Sequence, residues 1–450
     1  MGMKKVALNN KSREETSTEL PVSVRLAVEE IVSSCHVGEY TLNVEQLSEH
    51  GENSYGLVLQ LEVLPTLGKR SLHYIAKVSP KNDARRKQMD VVEYYTREVF
   101  MYRNIISEYL RLQLEHKIPP ELCFDAVPAM YYASLQEKDE FIILEDLQKS
   151  GYMRFNRHLV IPYRLAALAL EELAKFHAMS FVFRAKKPKR FYECVSVIRK
   201  DHLFSDNMEQ LKIDFGEKYI EKVITAVNGE ENIPNKHKFL KHLRYFCDKF
   251  KELGVKMVSG IEAEPYAVIC HGDFWNNNVL YRYNDKGEAV SAKLLDFQMS
   301  RYSSPVLDIV HYLFVCTEKD LRDQHFEDLK RVYYMSLASQ LRLFNLDPEK
   351  IFSYATFEEQ LKMFGAYGFC MSVYALPFYI SDPSHIPDLN EAAEAATTIL
   401  NSPKLNRDKE KDAFFSRYEF LNERTLDIFN KRMIEILLDL EKYEMLDFVA

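Results

Sequence analysis

The 450-residue sequence predicts an α+β protein of two lobes, a small lobe built on an antiparallel sheet with one helix and a larger α-rich lobe. Short β-branched and aromatic segments dominate before residue 147, and long amphipathic segments dominate after it. We therefore place the small lobe at residues 21–147 and the large lobe at residues 148–450. Residues 1–20 are polar and predict a flexible N-terminal tail.

The small lobe contains four strand-like segments, LVLQLEV, LHYIAKV, AMYYASL and EFIILEDL. Turn-like sequences such as LPTLGKRS and QEKD separate them. One helix interrupts them, because Tyr95, Val99, Tyr102 and Ile106 recur at helical spacing. An amphipathic segment at 22–34 precedes the strands. In the large lobe, VLYRY and VSAKLLDF flank a turn and predict a hairpin within an otherwise helical region.

Composition excludes several classes of protein. A formal net charge of -8 provides no basic field for nucleic acid, so we expect no nucleic-acid partner. No apolar run approaches the length of a membrane span, and the N-terminus lacks the apolar core of a secretory signal. Seven cysteines, odd in number and without a C-x-x-C pair, indicate reduced thiols. We expect a cytoplasmic protein.

The predicted hairpin is bracketed by polar residues in the pattern H-x-D-x-x-x-x-N followed by L-D-F, namely His271, Asp273, Asn278 and Asp296. Phosphoryl transfer needs a carboxylate that accepts the proton of the attacking hydroxyl, and an amide oxygen and a second carboxylate that hold Mg²⁺. The hairpin would return Asp296 beside the loop that carries the others. The competing interpretation is an ordinary turn rich in Asp and Asn.

Two charged residues of the small lobe fit the same chemistry. Lys77 lies in the middle of an apolar strand, and Glu98 lies on the buried stripe of the predicted helix. Either residue alone is more often at the rim of a core with its charge in solvent. Their order along the chain favours an ion pair in which Lys77 contacts the phosphates of a nucleotide.

Two further segments are candidates for nucleotide contacts. The turn GENSYG predicts a loop whose N–H groups cover the phosphates, with the candidate residues Gly51, Asn53, Ser54 and Gly56. A simple hairpin turn would explain the same residues. Glu145 and Leu147 lie where the small lobe gives way to the large one, so their backbone is positioned to contact an adenine edge.

Several segments of the sequence, taken in order, resemble the ecdysteroid kinase-like family of arthropods. The two longest are ICHGDFWNNNVLYRY and LLDFQMSRYSSPVLDI, and the shorter ones before them are GENSYG, IAKV, IILEDL and LAKFHAMS. The resemblance covers roughly residues 30–430. It implies the bilobal protein-kinase-like fold of the related choline and aminoglycoside kinases, with ATP, Mg²⁺ and a small-molecule hydroxyl as acceptor.

By the same resemblance, Asp273 matches the catalytic aspartate and Lys77 the phosphate-binding lysine with Glu98 as its partner. Asn278 and Asp296 match the metal ligands. Two residues are expected to support the loop rather than react, His271 by hydrogen bonding and Asp308 as an anchor from the following helix.

The function predicted from this evidence is ATP-dependent phosphorylation of a sterol, phenolic or glycoside hydroxyl, as in ecdysteroid metabolism or detoxification. Aromatic residues in the segment 364–380 would suit such an acceptor, although ordinary core packing explains them as well. A choline or aminoglycoside acceptor stays open. A catalytically silent nucleotide-binding protein would be expected to lose one of the four key residues. A protein kinase would need a longer segment after Asp296.

Overall fold

The computed structural model describes most of the chain, namely residues 7–8, 20–47, 56–66, 70–198, 209–381, 387–401 and 404–446. Most of the predicted N-terminal tail and the turn residues Gly51, Asn53 and Ser54 lie outside the described residues. Within them, the predicted α+β class with a small sheet-containing lobe and a larger helical lobe is confirmed.

The small lobe is built on a sheet whose strands are β1 (Ala7–Leu8), β2 (Tyr40–Gln46), β3 (Leu57–Pro65), β4 (Leu72–Val78), β5 (Met130–Ser134) and β6 (Phe141–Glu145). Their order is β1-β2-β3-β4-β6-β5, and strands β2 to β6 pair antiparallel. The lobe's helices are α1 (Val22–Ser34), α2 (Asp83–Gln88), α3 (Val91–Phe100) and α4 (Ser107–Glu115).

The two faces of the sheet contact different parts of the protein, because side chains alternate along a strand. In β4, Tyr74 and Ala76 are buried against α1, which covers the outer face with its own apolar stripe. Ile75 and Lys77 therefore point the other way, into the cleft between the lobes. The period of two in this strand places the Lys77 ammonium in the cleft while its neighbours form the core.

The predicted small-lobe helix is present, and its stripe of Tyr95, Val99, Tyr102 and Ile106 is buried as expected. It runs through α3 and α4, which a π-helical turn at Met101–Ile106 joins. The prediction of one helix is incomplete, because the short helix α2 precedes α3. Six residues are too few to show a helical period, and α2 depends on the Asn82 side chain, which caps it.

The large lobe begins with β7 (Tyr152–Arg154), and its other strands are β8 (Val268–Cys270), β9 (Val279–Tyr283), β10 (Ala289–Leu294) and β11 (Arg301–Ser303). The predicted hairpin is β9 and β10, and β7 adds to it to form a three-stranded sheet. Gly287 closes the hairpin turn at a φ of 76°. Strand β11 pairs with β8, so both segments that flank the hairpin are fixed beside each other.

Helices form the rest of the large lobe, and they are α5 (Tyr163–Lys186), α6 (Pro188–Ile198), α7 (Glu209–Gly229), α8 (Lys236–Asp248), α9 (Phe250–Val258), α10 (Gly260–Ala263), α11 (Val306–Cys316), α12 (Lys319–Leu343), α13 (Pro348–Ile351), α14 (Tyr354–Phe364), α15 (Tyr367–Ile380), α16 (Leu389–Asn401), α17 (Lys404–Arg417) and α18 (Glu423–Lys442). Helices α5 and α11 are the centre of this lobe, since α11 is buried along its whole length.

Among the described residues, no single helix is both long and apolar enough to cross a bilayer, although the bent pair Pro348–Phe364 and Tyr367–Ile380 meets both criteria when taken together.

An ion pair at the rim of the small lobe makes stability depend on pH. Burial would raise the pKa of Glu140, but hydrogen bonds from Arg86 and Ser79 outweigh burial and lower it to about 2. A lowered pKa stabilises the fold above the ordinary value of 4.5, and this stabilisation disappears as the pH falls towards 2.

We therefore expect Glu140→Gln to lower the free energy of unfolding by about 3 kcal/mol at neutral pH, because it leaves Arg86 without its charged partner. The deficit relative to wild type should shrink steadily as the pH falls below about 4.5. Urea unfolding of both proteins across this range measures it, with the exposed Glu137→Gln as the matched control. A deficit that does not change with pH would contradict the assignment of this stability to the ion pair of Arg86 and Glu140.

Candidate active site

A cleft of about 610 Å³ lies between the inner face of the small-lobe sheet and the hairpin of the large lobe. Its upper wall includes Val58 and Ile75 from the sheet, and its lower wall includes Leu280 and Leu295 from the hairpin. Lys77, Asn278 and Asp296 line one end of the cleft, and polar residues including Glu145, Asp146 and Gln148 also line it. The apolar walls suit a planar ring, and the end that carries Lys77 suits phosphates.

Lys77 connects three separate elements at the charged end. Its Nζ donates to Glu98 Oε2 at 2.6 Å and to Asp296 Oδ1 at 2.5 Å. Glu98, from α3, is only 1% exposed, whereas Asp296, which follows β10, remains partly accessible in the cleft. Burial alone would lower the pKa of Lys77, but Asp296 and Glu98 raise it well above its ordinary value, so Lys77 stays protonated.

Gly56 is the one member of the predicted phosphate loop that the structure describes. It lines the cleft with a φ of 148°, which favours glycine. A Cβ at this position would lie 2.0 Å from the carbonyl oxygen of Val78 and 3.0 Å from the Tyr95 hydroxyl. Any side chain here would collide with the end of β4, one residue after Lys77.

The connection between the lobes passes along the opposite end of the cleft. Glu145 ends β6, Leu147 begins a 3₁₀ turn, and both line the cleft with Asp146 between them. Asp146 accepts hydrogen bonds from Gln60 Nε2 of β3 at 2.6 Å and from the Gln148 amide at 3.0 Å. These bonds fix the backbone of the connection beside the apolar walls. The role of Gln60 was not predicted, because no local pattern indicates it.

Asp273 and Asn278 lie together on the loop before β9. Asn278 Nδ2 donates to the backbone oxygen of Asp273 at 2.9 Å and to its Oδ2 at 3.0 Å. Burial, and secondly the negative charge of Asp296, raise the pKa of Asp273 to about 7. A carboxylate with this pKa can exchange a proton near neutral pH.

Asp308 anchors the same loop from the first turn of α11. Its carboxylate accepts the backbone N–H of His271 at 2.6 Å and that of Gly272 at 2.9 Å. It also accepts His177 Nε2 at 3.0 Å, and the other ring nitrogen of His177 lies 2.8 Å from the Tyr333 hydroxyl. Although burial opposes ionisation, these bonds hold the pKa of Asp308 below its ordinary value. Asp308 is therefore a fixed anion beneath the loop.

His271 is a neutral, structural histidine in this arrangement. Burial lowers its pKa, and its Nε2 lies 2.8 Å from the backbone oxygen of Leu295. Nε2–H is then the donor, so Nδ1 is the acceptor that faces the Asp273 amide at 3.4 Å. The His271 ring thus joins the Asp273 loop to the chain immediately before Asp296.

Two contributors to this loop were not identified from the sequence. His177 belongs to the LAKFHAMS segment and is buried in an apolar helix, which is the signal that could have indicated a paired polar residue. Arg301 donates to the Gly272 oxygen at 3.2 Å and to the Tyr367 hydroxyl at 3.1 Å. The short β11 that carries Arg301 has no pattern that would have revealed this role.

Gly272 and Asp296 both have left-handed backbones. Gly272 has a φ of 86°, and a Cβ would lie 1.8 Å from the Met299 oxygen, so the two loops touch through their backbones. Asp296 has a φ of 72°, a conformation that residues with side chains rarely adopt. Phe297 fixes it by packing its ring 4.7 Å from His271 and 5.8 Å from Tyr102. The strained residue is thus held from both lobes.

The aromatic segment at 364–380 is mostly core. Tyr367, Phe369 and Tyr379 are buried within the large lobe, as the competing interpretation expected. Tyr374 and Phe378 are different, because they line a second cavity beside α2.

The structure thus brings Lys77, Glu98 and Asp296 into one cluster and Asp273 and Asn278 into another, with His271 and Asp308 supporting the loops. The arrangement offers a buried cation and oxygen ligands in the cleft, and a carboxylate of raised pKa that is bonded to the cleft residue Asn278. These are the groups that positioning and electrostatic catalysis of phosphoryl transfer require.

Comparison with known proteins agrees with a kinase-like site in this cleft. The model of the ecdysteroid kinase-like family matches residues 50–346, which is more than half of the chain and includes both clusters. No curated protein matches the chain significantly. The match to a kinase-like family agrees with the geometry of the cleft, and the chain belongs to the ecdysteroid kinase-like family.

Proposed function

We propose that this protein transfers the γ-phosphoryl group of ATP to a hydroxyl group of a small-molecule acceptor. The observation that supports the proposal most strongly is the double contact of Lys77 with Glu98 and Asp296 at the charged end of the cleft. This contact places one buried ammonium beside two carboxylates, of which Asp296 faces the cleft. An ammonium group held in this way can bind nucleotide phosphates, while the carboxylate beside it remains available to a cation.

Asn278 and Asp296 would hold Mg²⁺, and the residues present fit this ion. Asn278 commits its amide nitrogen to Asp273, so its side-chain oxygen is the atom that remains for a metal. Asp296 commits Oδ1 to Lys77, which leaves Oδ2. A hard cation prefers such oxygen ligands, and Mg²⁺ would supply charge neutralisation on the phosphates.

Asp273 would orient the acceptor hydroxyl and take its proton. In the transfer, the acceptor oxygen forms a bond to the γ-phosphorus, the bond from that phosphorus to ADP breaks, and the hydroxyl proton passes to Asp273. The raised pKa of Asp273, about 7, suits a group that must accept this proton and release it again. Asn278 holds the carboxylate in position, and Asp308 holds the backbone beneath it.

The adenine would lie at the other end of the cleft. Val58, Ile75, Leu280 and Leu295 provide two apolar walls, and the backbone around Glu145 and Leu147 forms the edge between them. A catalytically silent relative remains the alternative, and the retention of Lys77, Asp273, Asn278 and Asp296 favours activity. We propose a steroid-like or xenobiotic acceptor, in keeping with the family.

MgATP should stabilise the folded protein, because a ligand that binds only the native state raises its stability by mass action. We expect about 2–3 kcal/mol at a nucleotide concentration ~100-fold above Kd. Asp296→Ala should lose most of this increment, since it removes a metal ligand, and Asp273→Ala should keep it. Thermal unfolding with and without MgATP measures each increment against the variant's own baseline. Equal losses in both variants would contradict the division of roles.

Asp273→Asn should reduce turnover by roughly 10²- to 10⁴-fold, the contribution of a positioned general base. The amide fills the same space but cannot accept the proton, so KM for ATP should change little. Steady-state kinetics with saturating acceptor and varied ATP give both parameters. Asp285→Asn, an exposed substitution in the hairpin turn, is the matched control. Wild-type turnover in Asp273→Asn would exclude the mechanism.

Lys77→Met should behave differently, because Lys77 contacts the phosphates in both the ground state and the transition state. We expect KM for ATP to rise roughly ten- to hundredfold, as for the loss of a charge-assisted hydrogen bond, together with slower turnover. The exposed Lys286→Met serves as the control in the same assay. An unchanged KM for ATP would show that Lys77 has only a structural role.

A further inference from the structure

A second cavity, of about 230 Å³, lies between the two lobes. The small lobe contributes Arg85 and Gln88 of α2 and the adjacent Met89. Most of the remaining wall is aromatic and comes from α7, α15, α17 and the chain that follows α17. We call this cavity the aromatic pocket, and its aromatic lining includes Phe215, Tyr374, Phe378, Phe414, Tyr418 and Phe420.

The elements that form the aromatic pocket also reach the candidate active site. Tyr379 follows the pocket residue Phe378 on α15, and its hydroxyl accepts Asn276 Nδ2 at 3.1 Å. Asn276 lies in the loop between Asp273 and Asn278. On the small-lobe side, α2 leads along the chain into α3, whose Tyr95 lines the nucleotide cleft. The elements that form the pocket are thus continuous with elements of the candidate active site.

The walls favour flat apolar groups. Phe215 stacks on Tyr374 with ring centroids 5.9 Å apart, and Phe378 packs against Phe420 at 4.2 Å. Such surfaces provide extensive contact area for rings at small cost in side-chain entropy. Because these side chains already pack against each other, the pocket offers preformed faces.

The charge of the lining disfavours cations. Among the described residues that line the aromatic pocket, the charged one is Arg85, and no carboxylate is present. Arg85 is partly buried, and the nearby Asp388 is exposed to solvent, so water screens its influence on the pocket. Aromatic faces alone would attract an ammonium group, but the guanidinium of Arg85 opposes a second positive charge.

The size of the cavity limits what it can hold. A volume of about 230 Å³ is below the ~300 Å³ at which sites for whole drug-sized ligands begin. It suits one or two rings of a ligand whose remainder extends out of the pocket. The catalytic loop is joined to α15, the helix that carries Tyr374 and Phe378, through the hydrogen bond between Asn276 and Tyr379.

We propose that the aromatic pocket binds the apolar end of the acceptor and selects a neutral body of one or two rings over a cation of the same shape. This assignment rests on the proposed kinase function, since it supplies that reaction's acceptor. The pocket takes its wall from both lobes, so an acceptor seated there contacts α2 of the small lobe while its hydroxyl faces Asp273. Choline-like and polycationic acceptors are disfavoured by Arg85.

A matched pair of probes tests the assignment on the full-length protein. 2-Naphthylmethanol is a neutral two-ring alcohol, and 6-(hydroxymethyl)-1-methylquinolinium is a two-ring alcohol of similar shape whose ring body carries a positive charge. Calorimetric titration should show the neutral alcohol binding about tenfold more tightly than the quinolinium, because the quinolinium places a charge in the pocket that Arg85 lines. Arg85→Gln should reduce this preference, mainly by improving binding of the quinolinium.

Phe378→Leu should weaken binding of 2-naphthylmethanol by roughly three- to tenfold, the equivalent of one lost aromatic contact. Tyr354→Leu is the matched control, since Tyr354 is equally half-buried in an aromatic cluster of α12 and α14. It should leave binding unchanged.

The outcomes separate this assignment from the proposed function. If MgATP stabilises the protein but the alcohol does not bind, or binds equally to wild type and Phe378→Leu, the pocket assignment is overturned alone. Equal affinity for the neutral alcohol and the quinolinium overturns the charge selectivity. If the alcohol binds as expected and MgATP gives no stabilisation, the kinase function fails while the pocket remains a binding site. Transfer of phosphate from MgATP to 2-naphthylmethanol, detected by mass, supports both.

Discussion

The double ion pair of Lys77 is the constraint on which the arrangement of the active site depends. One ammonium group connects the centre of the small-lobe sheet to α3 through Glu98 and to the large-lobe hairpin through Asp296. A buried charge without a partner is costly, so each of the three elements is held in the position that satisfies the other two. The same requirement explains why α3 carries Glu98 on a face that is otherwise apolar.

Asp308 is a second fixed charge, and it holds the large-lobe loop of the site in position. Asp308 accepts two consecutive backbone N–H groups of the Asp273 loop, and His177 fixes the orientation of its carboxylate. The cluster around Lys77 and the cluster around Asp308 are joined by the ring of His271, which bonds the chain before Asp296. Movement of either loop would break bonds in both clusters, which accounts for the left-handed backbones that the site maintains.

Much of this arrangement was predictable from the sequence. Lys77 in the middle of the apolar segment LHYIAKV indicated a charge that needs a partner, and helical spacing placed Glu98 on the buried side of its helix. What the sequence could not show depends on contacts between distant segments. Gln60 and Arg301 act by bonding backbone or carboxylate groups far along the chain, and no local pattern distinguishes them from surface residues. The short helix α2 was not predicted for a related reason, since its stability comes from a cap and from tertiary packing.

Besides the ion pair of Lys77 with Asp296, the two lobes are connected by the chain itself and by the packing of α2. Where the chain passes between them, Gln60 fixes Asp146. In the other connection α16 packs on α2, where Asn82 Nδ2 donates to Glu394 at 2.7 Å in an exposed position. An exposed hydrogen bond contributes little to stability, so the packing of α16 on α2 contributes more to this connection than the bond does. The aromatic pocket is built on the same two elements, since α2 contributes Arg85 and α16 contributes Leu389 and Ala392. The proposed seat of the acceptor therefore depends on how the two lobes meet.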